Sequence, residues 1–391
     1  MHTHETVFPP GARLPCARLS GVQNLAGIDL LRFASALAVL FWHYQHFSFV
    51  GAVPFQFDNR EEPFYGALSM FYHYGKFGVQ VFWSISGFIF FWKYGEALAA
   101  GRVKAGRFAL LRFSRLYPLH ILTLLLVALG QALFRASHPA YFVYQDNSLP
   151  SFFLQLGVVG HWFYPLLSSV SFNGPIWSVA LELLAYVLFF VLSRRIGVGA
   201  RATLATVALL ALGHYGSALP AFECLLFFYL GGVVWLGARR AAGWTRRRHR
   251  IVNGALALLF LATCAAVRLG LVWADHVVVP MVPLLVYLFL QGVQPASARL
   301  RRVFGELGNL TYASYLLHFP LQLYIALVCG WLGREVPWRS PWLFLGFVAA
   351  TMVLSYYCYH HVERPLQDWI RRRWGAPAGV AAPLGGSTAP V

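Results

Sequence analysis

Long apolar runs separated by short polar breaks dominate the chain. Each run is about long enough to cross roughly 30 Å of hydrocarbon as a helix, at a rise of about 1.5 Å per residue. The ten runs lie at residues 27–49, 76–97, 115–135, 176–193, 201–216, 221–238, 252–272, 276–293, 310–332 and 341–362. The pattern predicts an all-α integral membrane protein, a polytopic bundle of about ten transmembrane helices.

An eleventh apolar stretch, residues 151–167, differs from the others in its composition. Gly157, Gly160, His161 and Pro165 interrupt it. These residues would break a spanning helix, so the stretch is predicted to be a re-entrant or interfacial segment.

The two ends of the chain are poor in packing residues. The first segment, 1–24, has no apolar core of its own and is not a cleavable secretion signal. We therefore expect a cytoplasmic tail at 1–24, one membrane domain at 25–370 and a disordered cytoplasmic tail at 371–391, which is rich in Ala, Gly and Pro.

The charge distribution predicts the direction of the bundle. Only 12% of the 391 residues are charged, against about 25% in soluble domains, which excludes a soluble enzyme. With ten spans and a cytoplasmic N-terminus, 24 Lys and Arg lie on the inner side and six on the outer side. If 151–167 crossed the membrane, this bias would largely vanish. The net charge of +17 is thus explained by topology, and no nucleic-acid partner is expected.

The Cys and His residues give no metal pattern. Four of the five cysteines fall inside apolar runs, without a CxxC motif, and are predicted to be small core residues. The pairs His43 with His46 and His360 with His361 have no Cys or acidic partner at ligand spacing. We therefore expect no bound metal.

The first span carries two ionisable residues on one face. Arg32 and His43 are eleven residues apart, which is about three helical turns, or roughly 16 Å. Charged groups inside spans are costly and mark functional sites. The alternative is a structural pair, with Arg32 reaching the interface and His43 hydrogen-bonded in the core.

The fourth span carries a carboxylate, Glu182, one turn beyond Ser178. A buried carboxylate needs a partner or a proton. His43 is the natural partner. A salt bridge to Arg32 and a protonated Glu182 bonded to a backbone carbonyl remain as alternatives.

A polar stripe marks the ninth span. Thr311, Ser314, Tyr315 and His318 are spaced by three, four and seven residues, so they share one helix face. Such a stripe lines a cavity more often than it faces lipid, although hydroxyl residues can also join helices.

Two arginines precede the third span. Arg112 and Arg115 are one turn apart, so their guanidinium groups could bind phosphate together. The alternative for both is an ordinary anchor on the positive side of the membrane, which is the preferred interpretation for Arg107.

These residues resemble the signatures of the acyltransferase-3 family of integral membrane acyltransferases. Arg32 and His43 resemble its R-x10-H signature, preceded by Asp29 as in the family's LDxLR start. Further similar segments follow in family order at 78–88 (GVQVFWSISGF), 112–118 (RFSRLYP), 177–182 (WSVALE), 314–318 (SYLLH) and 362–366 (VERPL). The chain departs from the family pattern at Gln80, where an acid is common, and at Trp83, where Phe is usual.

The resemblance implies a membrane O-acyltransferase of the bacterial cytoplasmic (inner) membrane. Its donor would be acyl-CoA, chiefly acetyl-CoA, with no permanently bound cofactor. Its acceptor would be a hydroxyl of an envelope or exported glycan, such as an exopolysaccharide, an O-antigen or a lipid-linked precursor. Its partners would then be the donor, this glycan and membrane lipids.

On this hypothesis the polar residues divide into three groups. His43 would act as general base or transient acyl carrier, with Glu182 orienting it. The arginines Arg32, Arg112 and Arg115 would hold the donor's phosphates. The substrate pocket would comprise Trp177, Ser178, Ser314, Tyr315 and His318.

The competing hypotheses are a transporter or exporter of a polar solute, and a glycan-assembly scaffold without chemistry. A transporter should show repeat symmetry and coupling carboxylates, and the sequence shows neither clearly. A scaffold would not explain three costly intramembrane groups, Arg32, His43 and Glu182.

Overall fold

A computed structural model describes residues 25–164 and 170–374 of the chain. Both terminal tails, 1–24 and 375–391, and part of the predicted re-entrant segment lie outside the described residues. The first eight helices are α1 (Ala26–Trp42), α2 (Tyr65–Tyr74), α3 (Gly78–Phe90), α4 (Glu96–Ala99), α5 (Ala105–Ser137), α6 (Leu149–Leu156), α7 (Ile176–Ile196) and α8 (Ala200–Gly216). The others are α9 (Pro220–Ala241), α10 (Arg246–Arg268), α11 (Ala274–Gly292), α12 (Ala298–Asn309), α13 (Thr311–Trp331), α14 (Pro341–Cys358) and α15 (Arg364–Trp374). A short hairpin, β1 (Phe49–Val50) and β2 (Val53–Pro54), follows the first span.

The helices confirm an all-α polytopic membrane protein. Eight helical segments of the described chain are long and apolar enough to cross a membrane. The predicted spans 76–97 and 201–216 correspond to two further helical stretches. The first is α3 and α4 joined by a π-helical turn, and the second is α8, which has 17 residues. The third span begins at Ala105 rather than near 115, because a basic first turn extends the apolar helix.

The described part of the 151–167 stretch does not cross the bundle. Helix α6 has only eight residues, and a 3-10 turn, Gly160–Phe163, follows it. Ser148 caps α6 by accepting a hydrogen bond from the Ser151 amide. An eight-residue helix rises only about 12 Å, which is too short to span.

Helix α15 corrects one predicted boundary. The tail was expected to begin at residue 371, but residues 371–374 form the last turn of α15. The helix is amphipathic, and it buries Ile370 while Arg371 Nε donates a hydrogen bond to Ser114 Oγ at 3.2 Å. Packing against α5 therefore orders a segment whose composition alone is strongly polar.

Close contact between α3 and α9 depends on glycine. A Cβ added at Gly87 would lie 1.7 Å from the carbonyl oxygen of Phe228, and one at Gly231 would lie 2.0 Å from that of Ser84. Small residues at such crossings let membrane helices approach closely. This crossing fixes α3, which carries Ser84 and Ser86 in the middle of the bundle.

We expect Gly87→Ala to lower the melting temperature of the purified protein strongly. The clash is with a backbone carbonyl, so the two helices must separate, and overpacking of this kind costs about 1–3 kcal/mol or more. Thermal unfolding in nanodiscs measures the effect. Gly254→Ala on α10 is the control, because a Cβ there meets no atom within 4 Å. Equal melting temperatures for the two variants would contradict the proposed crossing.

A buried carboxylate lies in the loop between α1 and α2. Glu62 is only 4% exposed, and its Oε1 has no hydrogen-bond partner among the described residues. Burial raises the pKa of Glu62 from 4.5 to about 8. The folded protein therefore binds this proton more tightly than the unfolded chain does.

The free energy of unfolding should consequently fall as the pH rises from about 4.5 to about 8, and the contribution of Glu62 should be constant outside that window. We expect Glu62→Gln to remove this part of the pH dependence in melting curves recorded from pH 5 to 9. Glu61→Gln is the matched control, because Glu61 is half-exposed and paired with Arg339. A wild-type slope that persists in Glu62→Gln would assign the dependence to another group.

Candidate active site

A polar cavity lies among α1, α3, α5, α7 and α13. Its empty volume is about 780 Å³, open mouth included. Its polar lining residues are Arg32, Ser86, Arg112, Arg115, Ser178, Glu182, Tyr186, Thr311, Tyr312 and Tyr315. The structure thus brings together all three predicted phosphate-binding arginines and the predicted carboxylate, although they come from three different helices.

Arg32 is held near the start of α1. Its Nη2 donates a hydrogen bond to Thr311 Oγ1 at 3.1 Å, and its Nη1 lies 3.6 Å from Asp29 Oδ1. Two polar partners on different helices therefore position this guanidinium at the cavity wall. The hydrogen bond also gives a role to Thr311, the first polar residue of the stripe on α13: its hydroxyl holds Arg32.

Aromatic side chains surround the guanidinium group of Arg112. It is 9% exposed, and its Nη2 donates a hydrogen bond to the hydroxyl of Tyr94 at 2.8 Å. Its guanidinium carbon lies 4.9 Å from the ring centre of Phe90 and 5.9 Å from that of Tyr186. Cation–π contacts of this kind stabilise a buried cation and fix its plane.

Arg115 differs from its neighbour in having no fixed partner. The salt bridges of the described residues do not include it, and no side chain there bonds to its guanidinium. It is attracted electrostatically by Glu182 and Glu363. Arg115 is therefore the cavity cation with the greatest freedom to bind an anion.

Glu182 bonds to two hydroxyls in the cavity. Its Oε1 accepts a hydrogen bond from Tyr186 at 2.5 Å and another from Ser86 Oγ. The predicted pairing of Glu182 with His43 is wrong, because Glu182 faces α3 and the next turn of its own helix. The two alternatives are not seen either: Glu182 forms no salt bridge with Arg32 in the described chain and bonds to hydroxyls instead of a backbone carbonyl, although Arg32 attracts it electrostatically.

His43 belongs instead to a cluster of histidines beside α13. Its ring centre is 4.8 Å from that of His318 and 4.9 Å from that of His46. Gln322 joins the cluster, since its Nε2 donates to the His43 carbonyl at 2.8 Å and its Oε1 lies 3.3 Å from His46 Nδ1. No group of three His, Cys, Asp or Glu in the described chain has the geometry to hold a metal ion.

The tautomer of His43 follows from its backbone contact. Nδ1 lies 3.0 Å from the carbonyl oxygen of Val39, one turn earlier on α1. A carbonyl can only accept, so Nδ1 carries the proton and Nε2 of the neutral ring has a free lone pair. His318 is held in the same way, with Nδ1 3.2 Å from the carbonyl of Ser314. Both imidazoles therefore present a basic Nε2.

Tyr315 separates the cavity from the histidines. Its hydroxyl lies 2.7 Å from Ser178 Oγ at the cavity wall, and its ring centre is 6.0 Å from that of His318. Trp83 holds the same turn of α7, because its Nε1 donates to the Ser178 carbonyl at 3.2 Å. The Tyr315–Ser178 pair thus forms the boundary between the arginine cavity and the histidine cluster.

Three predicted pocket residues do not line this cavity. His318 belongs to the histidine cluster, beside His43. The hydroxyl of Ser314 donates to the Thr311 carbonyl within α13, so it serves its own helix. Trp177 lines a second cavity, of about 330 Å³, together with Gln155 and His161. The α7 turn that carries Trp177 and Ser178 therefore faces two cavities instead of one.

Several residues of the site are not among those predicted from the sequence. Ser86 and Tyr186 bond to Glu182. Ser86 could have been found from its place in the SISGF segment, and Tyr186 from its position four residues after Glu182 on the same helix face. Tyr94 had no signal, because its contact with Arg112 depends on the π-helical turn Phe91–Gly95. Gln322 repeats the polar stripe of α13 one turn beyond His318.

The fold and the site define a multi-pass membrane protein with a cationic cavity that leads toward a histidine cluster. Residues 25–360 match the family described as an acyltransferase domain, and the chain belongs to this acyltransferase-3 family. It is also 27% identical over 386 residues to Acyltransferase MdmB of Streptomyces mycarofaciens, covering 90% of this chain and 94% of the relative. No solved structure matches the chain significantly. The protein is a membrane enzyme that transfers acyl groups.

Proposed function

We propose that the enzyme is an O-acetyltransferase that moves an acetyl group from cytoplasmic acetyl-CoA to a hydroxyl of an envelope or exported glycan. The arginine cavity is the observation that carries the donor assignment. Arg32, Arg112 and Arg115 line the cavity together with one carboxylate, Glu182, while Asp29 pairs with Arg32 and Glu363 attracts Arg115 from outside the lining. The cavity wall therefore presents several guanidinium groups, which bind phosphates well, and CoA carries phosphates.

The donor enters with its nucleotide at the arginines, and its flexible thioester arm extends along the cavity toward Tyr315. This order places the phosphates on the cytoplasmic side, which agrees with the basic loops predicted there. Both termini are then cytoplasmic, and the histidine cluster lies deeper, toward the acceptor. Glu182 limits repulsion among the arginines and leaves the acid–base chemistry to histidine.

His43 acts as the general base in this mechanism. Its Nε2 takes the proton from the acceptor hydroxyl while the oxygen forms a bond to the acyl carbon. The bond between that carbon and sulfur then breaks, and the CoA thiolate takes up a proton. The Nδ1 bond to Val39 leaves Nε2 as the ring nitrogen that accepts this proton. His318 lies close enough to stabilise the resulting ring orientation.

The aromatic surroundings of the cluster support a sugar acceptor. Phe49 and Tyr144 pack against His46, with ring centres at 5.3 Å and 5.8 Å. Flat aromatic faces beside hydrogen-bonding groups suit the alternating apolar and hydroxyl surfaces of a sugar. We therefore assign the acceptor as a glycan hydroxyl, reached from the side of the membrane opposite the donor.

The experiment that tests this proposal is the release of free CoA by purified enzyme in nanodiscs. We expect slow release from acetyl-CoA alone and faster release when a suitable glycan acceptor is added, with one acetyl ester formed per CoA. Substituting acetyl phosphate for acetyl-CoA is the control for donor class. A folded enzyme that neither binds acetyl-CoA nor releases CoA would overturn the donor assignment.

A further inference from the structure

Two cations lie beside the cavity without lining it. Lys93 and Arg371 are half-buried and belong to distant parts of the chain. Their charges act on each other and on the arginine pair of α5, Arg112 and Arg115. Like charges repel, and the carboxylates of Glu182, Glu363 and Asp368 also act on this group of cations. A bound phosphate would stabilise the four cations further.

Arg371 lies close to the cavity arginines because α15, which carries it, packs against α5. Its Nε donates to Ser114 Oγ at 3.2 Å, and Ser114 lies on α5 between the two cavity arginines. Ser114 is fully buried, so the contact fixes the guanidinium against the helix. The bond uses only Nε, and the two Nη groups make no hydrogen bond to any described residue. Arg371 therefore keeps a free pair of donors suited to a phosphate.

Lys93 is placed by a local change of helix geometry. It lies in the π-helical turn Phe91–Gly95, which joins α3 to α4 and also carries Tyr94, the partner of Arg112. Single π-turns inside helices are frequent at functional sites. Among the described residues, no carboxylate forms a salt bridge with Lys93 or Arg371, whereas Arg239 pairs with Glu96. Asp368, one turn earlier on α15, attracts Arg371 electrostatically without a salt bridge.

We propose that Lys93 and Arg371 form a second phosphate subsite, separate from the cavity arginines, that binds the ribose 3′-phosphate of the CoA donor. The proposal rests on the proposed function. In CoA the diphosphate is closer to the thioester arm than the 3′-phosphate is. The cavity arginines therefore take the diphosphate, and the cations outside the cavity wall take the 3′-phosphate, which carries about two negative charges.

The subsite is tested with two probes that differ by one phosphate, CoA and 3′-dephospho-CoA. Their affinities are measured by calorimetry on the whole enzyme in nanodiscs of phosphatidylcholine. We expect wild type to prefer CoA by about tenfold or more, as for a charge-assisted contact. Arg371→Gln and, independently, Lys93→Gln should reduce this preference toward one and leave the affinity for dephospho-CoA nearly unchanged. Arg372→Gln, an exposed neighbour on α15, should keep the wild-type preference.

The possible outcomes distinguish a failure of this subsite from a failure of the proposed function. Wild type that binds neither probe overturns the donor assignment itself. Wild type that binds both probes equally overturns only the subsite. A third measurement repeats the comparison in nanodiscs with phosphatidylglycerol. If the effect of Arg371→Gln appears only with this anionic lipid, the two cations hold a lipid headgroup and the subsite is overturned as well.

Discussion

His43→Ala should abolish acyl transfer while leaving donor binding intact. General-base catalysis contributes about 10² to 10⁴-fold, so the rate of acceptor acetylation should fall by at least about 10². His43 does not line the arginine cavity, which predicts an unchanged dissociation constant for acetyl-CoA. The measurement is CoA release with acceptor present, paired with calorimetry of donor binding.

The control for this prediction is His73→Gln. His73 is exposed on α2, bonds to Asn59 and Tyr65, and does not line the cavity. It should retain wild-type rates. Near-normal transfer by His43→Ala, in a folded enzyme, would remove His43 from the chemistry. An acetyl group found on His43 by mass spectrometry of enzyme incubated without acceptor would assign it as a covalent carrier instead of a base.

The membrane fold could be predicted closely from the sequence, because hydrocarbon imposes a simple length rule on apolar runs. The prediction failed where local structure depends on tertiary packing. Helix α15 extends through residues predicted to be a tail, because Ile370 and Arg371 contact α5. Similarly, the π-helical turn around Lys93 has no composition signal of its own.

The sequence predicts which helical segment carries each site residue, but it does not predict which residues of other helices that residue contacts. Helical periodicity places Arg32 on α1 and Ser178 and Glu182 on α7, whereas His43 begins the 3-10 turn that follows α1. Periodicity carries no information on which side chains of different helices meet. The actual partners of Glu182, Ser86 and Tyr186, depend on the rotation of α7 against α3, so neither His43 nor Arg32 pairs directly with it. The same holds for Trp177, which the α7 turn directs to the smaller cavity.

The cavity arginines should respond differently to substitution, since they are held differently. Arg112 is bonded to Tyr94 and packed on Phe90, so Arg112→Gln should lower the melting temperature. Arg115 has no such frame, and Arg115→Gln should therefore fold normally. The melting temperature thus distinguishes Arg112, which also supports the fold, from Arg115, whose proposed role is ligand binding alone.

Arg115→Gln should weaken acetyl-CoA binding by about 10- to 100-fold, the range for losing a charge-assisted contact to phosphate. The substitution should raise KM much more than it lowers kcat, because in the proposed function Arg115 contacts the nucleotide of the donor and not the reacting thioester. Arg107→Gln is the matched control, since Arg107 is an exposed cation two turns earlier on α5. If both variants lose the same small amount of affinity, and added salt removes the difference from wild type, Arg115 acts only through the general surface charge. A loss confined to Arg115→Gln instead identifies a specific phosphate contact, because the two substitutions remove the same charge from the same helix.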